Sequence, residues 1–113
     1  MANFMYLFRF EKDWRPSSPE EMEQLMKRWM SWKDELEKSG HFVKAGERMD
    51  VQGKVVRGRE RTVSDGPYVE SKDIVNGMLV VSARDLDEAA ELAKGCPILE
   101  GDGTVEVRPL LSI

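Results

Sequence analysis

The chain has 113 residues, a mass of 12.9 kDa and a formal net charge of −4, with 41% hydrophobic and 34% charged residues. That length fits one domain, so residues 1–113 are read as a single unit, and the composition, ordinary for a globular protein, argues against disorder. No apolar run approaches the ~20 residues of a membrane span, the acidic balance argues against a nucleic-acid partner, and a single histidine and a single cysteine exclude the His/Cys-rich zinc sites.

The first element runs from Asn3 to Phe10. Phe4, Tyr6, Phe8 and Phe10 alternate with Met5, Leu7 and Arg9, the period of a strand. Both faces are mostly apolar, so this strand is expected at the centre of a sheet, covered on both sides. Ser18-Pro19-Glu20-Glu21 then signals a helix start. Ser18 can accept from the backbone N–H of Glu21, Glu21 can reach back, and Pro19 takes the first helical position. Met22, Leu25, Met26, Trp29 and Leu36 recur on one stripe, flanked by Met30 and Trp32, and Gly40 supplies a left-handed stop. The helix is placed at Pro19–Ser39. Its tryptophans and methionines are read as core and flank packing, and Trp14, in the preceding loop, as a side chain that covers a pocket.

Phe42 to Val56 reads as extended chain, with a hairpin tip at Gln52-Gly53 between Arg48–Val51 and Lys54–Arg57. The extended run continues to Val63 and places Arg57, Arg59 and Arg61 on one face, read as a solvated edge that discourages aggregation. Ser64-Asp65-Gly66-Pro67 is a turn cluster, and Ile74 to Ala83 is a strand. Asp85-Leu86-Asp87-Glu88 opens a second helix, with Asp85 as N-cap and Glu88 as its reciprocal partner. Gly95 and Pro97 end it, and Thr104 to Leu110 forms the last strand.

The order β-α-β-β-(β)-α-β gives an α+β, ferredoxin-like split βαβ: an antiparallel sheet with two helices on one face. Its other face would be bare, and the large side chains there predict a homodimer. In a globule this small the core leaves no room for a deep private cavity. The N-terminal run lacks the basic start and cleavage site of a signal peptide. Cys96 has no internal disulfide partner, so a reducing, cytoplasmic compartment is expected.

The chemistry-bearing stretch is Val63 to Asp73. Pro67 restricts Gly66 and sets Asp65 at a rigid corner. Tyr68, Glu70 and Lys72 would then share one side of an extended chain, an arrangement that suits acid/base work; the plainer reading is a capped turn and a solvated ion pair. On the last strand Glu106 and Arg108 share the face opposite Val105 and Val107. They either orient a ligand carboxylate through the guanidinium fork or form a structural ion pair. His41 follows the helix-ending glycine, as a dipole-favoured surface residue or as a ligand-binding one. Cys96 reads as packing rather than a nucleophile.

The run from Asp65 to Asp73 resembles the signature of the YCII-related, or DGPF-domain, family: Asp-Gly-Pro-Phe followed by Glu, Lys and an acidic residue. Here Tyr68 stands for Phe and Asp73 for Glu. The resemblance continues through Gly77, Asp87-Glu88-Ala89, Pro97 and Val105-Glu106-Val107-Arg108-Pro109. It implies a ferredoxin-like fold assembled as a dimeric α/β barrel. It also implies a His–Asp active site in which Asp65 is the matching aspartate, with His41 as the candidate histidine. Tyr68, Glu70, Lys72, Glu106 and Arg108 would position the ligand. Two functions follow. One is an acid/base enzyme of isomerase or lyase type, needing no cofactor or metal, that acts on a small anionic organic molecule. The other is a non-catalytic metabolite-binding or regulatory module.

Overall fold

The alternating aromatics of the first segment do form the central strand. The computed structural model describes residues 1–11, 14–66 and 73–111. In chain order the elements are β1 (Ala2–Glu11), α1 (Pro19–Lys38), β2 (Phe42–Ala45), β3 (Gly53–Arg57), β4 (Thr62–Gly66), β5 (Asp73–Ala83), α2 (Leu86–Ala93), a 3-10 turn (Pro97–Gly101) and β6 (Thr104–Pro109). Four strands make one antiparallel sheet in the order β2-β5-β1-β6. Among these four, the first in sequence lies between the third and the fourth, the arrangement of a ferredoxin-like split βαβ. Strands β3 and β4 form a separate two-stranded hairpin.

Both helices pack on one face of the sheet. Phe4, Tyr6 and Phe8 of β1 meet Trp32 and Leu36 of α1 and Ala89 and Ala93 of α2. Each large side chain sealed there contributes roughly 1.5–3 kcal/mol relative to exposure. Val105 and Val107 of β6 join this cluster. The opposite face carries Met5, Leu7 and Arg9, each half-buried, and among the described residues no helix covers it.

Local chemistry sets the helix ends. The Ser18 hydroxyl accepts from the Glu21 N–H at 3.1 Å, and Asp85 accepts from the Glu88 N–H at 2.8 Å. The reciprocal carboxylates each reach one residue further back than the sequence predicts. Glu21 accepts from the Ser17 N–H and hydroxyl, and Glu88 from the Arg84 N–H. The Ser17 bonds hold the Glu21 carboxyl below its usual range. At the far end of α1, Gly40 takes φ 79°, Gly40 N–H donates to Glu37 and His41 N–H to Leu36, the two bonds of a Schellman motif.

The hairpin corrects two expectations. Its tip is not Gln52-Gly53 but Gly58–Arg61, where Gly58 and Arg61 adopt φ 66° and 57° and Arg61 N–H donates to Gly58. Arg59 and Arg61 therefore belong to the turn, and only Arg57 lies on a strand. The N-terminal part of the α1 stripe also departs from the core reading. Trp32 and Leu36 are buried, whereas Met22, Met26 and Met30 are exposed.

Candidate functional site

Those methionines mark a cavity. It has a volume of about 280 Å³ and lies between α1, the C-terminal half of β1, the middle of β5, the 3-10 turn and the segment that follows β2. An apolar cavity of about 150 Å³ already accepts benzene, so this one holds a substituted ring. It is a half-open cleft between helix and sheet with exposed methionines at its lip, not a deep enclosed cavity.

Phe8 and Phe10 end the aromatic row of β1. Trp29 stands edge-on to Phe8, with ring centroids 5.0 Å apart, and to Trp32 at 5.8 Å. Trp14 packs edge-on against Phe10 at 5.9 Å and lies over Gly101, where a Cβ would come within 3.0 Å of its ring. A glycine at 101 is what lets the indole close that end, as the sequence reading of Trp14 anticipates. The segment after β2 runs along β5: Gly46 N–H donates to Met78 and Met49 N–H to Asn76, both at 2.8 Å. A Cβ at Gly46 would meet Met78 at 2.5 Å, so this close approach also depends on glycine.

Polar groups around the cavity are few: Lys33, Glu47, Arg48 and Asn76. The Lys33 ammonium lies 3.5 Å from Glu37 and 5.2 Å from the centre of the Phe42 ring. Asn76 is buried, at 8% exposure. It sits where the β1–β5 register slips: Phe8 pairs with Gly77 and Arg9 with Val75. The extra residue of a bulge is commonly re-aimed towards a site. Sequence reading passes over Asn76, because a bulge inside a β-branched run leaves no mark in the pattern, and over Glu47 and Arg48, which lie on an irregular segment after β2.

The residues singled out by sequence lie elsewhere. Asp65 is on the hairpin, 93% exposed, with Lys54 Nζ 2.9 Å away across the strand pair. His41 is half-buried beside the last residues of β5, and its Nδ1 donates to the Ser82 carbonyl at 2.7 Å. His41 is not among the residues that line the cavity; its ring is bound to β5, while Asp65 is bound to Lys54 on the hairpin. Tyr68, Glu70 and Lys72 lie outside the described residues.

Glu106 and Arg108 do share the helix-free face, as their alternation with the packed valines requires. Glu106 takes Arg9 Nε on one oxygen at 3.1 Å and Arg108 on the other at 3.8 Å. All three side chains are substantially solvated, so each pair contributes little stability, about 0–1 kcal/mol. Cys96 is sealed in the core, and burial pushes its thiol up to about 12. A thiol held protonated in this way is no nucleophile. Among the described residues no group of His, Cys, Asp and Glu is arranged to hold a metal ion, and no helix is long and apolar enough to cross a membrane.

A family model for the YCII-related domain matches residues 4–113, nearly the whole chain. The chain belongs to the YCII-related family. Among solved structures it is similar to 5-chloro-2-hydroxyhydroquinone dehydrochlorinase from Burkholderia phenoliruptrix, solved in complex with 2,5-dihydroxybenzoquinone. The TM-score is 0.48 and the identity 16%, covering 98% of this chain and 95% of that one. A sequence comparison with curated proteins gives no match.

Proposed function

We propose that this YCII-domain protein binds a small anionic organic molecule with a flat apolar body in the α1–sheet cavity. The observation that carries the reading is the wall itself: aromatic rings and methionines enclose a space of about 280 Å³ in a chain of only 113 residues. A pocket of this kind, with few polar groups, is the usual form of a small-molecule site. Methionine side chains at its lip adapt to a ring at little cost. Arg48 and Lys33 at its rim are the groups that would take a ligand carboxylate, Lys33 in competition with its Glu37 partner.

Acid/base turnover of that ligand, by isomerisation or elimination, is the finer reading. It rests on the Asp65-Gly66-Pro67-Tyr68 signature. In a single chain Asp65 is solvated and held by Lys54, so its catalytic use depends on a second copy bringing the hairpin to a cavity. The homodimer proposed from the bare sheet face would supply that second copy, provided the partner's hairpin reaches past the sheet edge to the helix-covered side.

The three tryptophans Trp14, Trp29 and Trp32 line the cavity and make the test direct. Titration with 4-hydroxybenzoate should change their emission saturably. Emission that stays constant, apart from linear inner-filter loss, would remove the binding reading.

A further inference from the structure

Within that cavity one buried polar group has an unused half. The Asn76 Nδ2 lies 3.2 Å from the Ile74 carbonyl oxygen. A carbonyl only accepts, so the atom beside it is the amide nitrogen, and the orientation of the Asn76 side chain is fixed. Oδ1 is then the remaining atom, and it has no hydrogen-bond partner among the described residues. No polar side-chain atom of the described residues is both fully enclosed and unsatisfied, so Oδ1 keeps access to open space. Asn76 lines the cavity and is only 8% exposed.

We propose that Asn76 is a specificity-determining residue: its Oδ1 accepts a hydrogen bond from a hydroxyl carried on the ring of the ligand. The ligand class is then an aromatic acid with a phenolic or equivalent ring hydroxyl, rather than an unsubstituted or halogenated ring. The inference rests on the cavity being the binding site and goes beyond it, because the aromatic wall alone would rank ligands by apolar surface. Oδ1 reverses that ranking. An apolar group placed against it strips its water and returns nothing, whereas a hydroxyl replaces the lost bond. The bulge gives the arrangement its rigidity. Asn76 is tied by its own carbonyl to Met49 N–H and by Nδ2 to Ile74, so the acceptor is held in place before a ligand arrives.

The test is calorimetric titration of the whole protein with 4-hydroxybenzoate and 4-fluorobenzoate. The two differ little in size and share the carboxylate; fluorine is the more apolar substituent and donates no hydrogen bond. The proposal expects 4-hydroxybenzoate to bind about tenfold tighter, a difference of about 1.4 kcal/mol. Equal binding, or preference for the fluoro compound, overturns it while leaving the cavity reading intact. If neither binds, the cavity reading fails and the proposal falls with it. Glu47 is the other acceptor at the cavity, so variants assign the residue. Asn76→Leu should abolish the preference, and Glu47→Leu, an exposed position, should keep it. If Asn76→Leu does not fold, Glu47→Leu still decides: loss of the preference there assigns the acceptor to Glu47 and refutes the role of Asn76.

Discussion

Tyr6 joins three elements through one side chain. It is wholly buried in β1, its ring stacks on Trp32 of α1 at 5.9 Å, and its hydroxyl donates to the Ala89 carbonyl of α2 at 2.5 Å. Burial, with Cys96 nearby as a smaller cause, raises the phenol above its usual value, so it stays a donor at any physiological pH. Tyr6→Phe keeps the stack and deletes the donor, leaving the Ala89 carbonyl one partner short. The expected cost is about 1–3 kcal/mol, read as a lower urea midpoint at unchanged slope. An unchanged midpoint would mean that the hydrogen bond adds nothing to the stacking. Asp65 is the contrasting case. Its residue type and the Gly-Pro that follows make it conspicuous in sequence, yet in the fold it has one exposed ion pair. Asn76, which draws no notice in sequence, has the buried amide at the cavity.

Elements whose signals are local are legible in the sequence. β1 is written in Phe4, Tyr6 and Phe8, α1 in Ser18-Pro19 and Gly40, α2 in Asp85 and Glu88, and each falls within a residue or two of its expected bounds. The hairpin tip is not legible. Gln52-Gly53 has the composition of a tight turn, but the reversal occurs where Arg61, a residue with no preference for positive φ, takes φ 57°. The pairing of Val56 with Val63 selects that register, and tertiary register is invisible to a local pattern. The cavity is hidden for a related reason. Met22, Met26 and Met30 lie at helical spacing, as core residues do, and only the position of α1 over the sheet leaves them at a lip instead of inside. The charged alternation on β6 was legible because Val105 and Val107 had one apolar face to fill, which fixed Glu106 and Arg108 on the other.

The whole molecule is extended for its length. Its radius of gyration is 15.7 Å with extents of 46 × 44 × 19 Å, against about 13 Å for a compact chain of ~100 residues. The hairpin contributes to this by standing apart from the main sheet. An isolated two-stranded hairpin is marginally stable in water, and this one exposes its opposed valines, Val56 at 64% and Val63 at 56%. Together with the helix-free sheet face, these surfaces support the proposed homodimer. Light scattering at micromolar concentration should give twice the 12.9 kDa of one chain; the mass of a single chain would contradict the assembly and, with it, any role for Asp65 at a partner's cavity. A crystal structure of the protein soaked with 4-hydroxybenzoate would show whether the cavity binds. The ring should lie between Phe10, Trp14 and Trp29, with its hydroxyl at Asn76. Density on the opposite face of the sheet beside Arg9, Glu106 and Arg108, with the cavity empty, would contradict it.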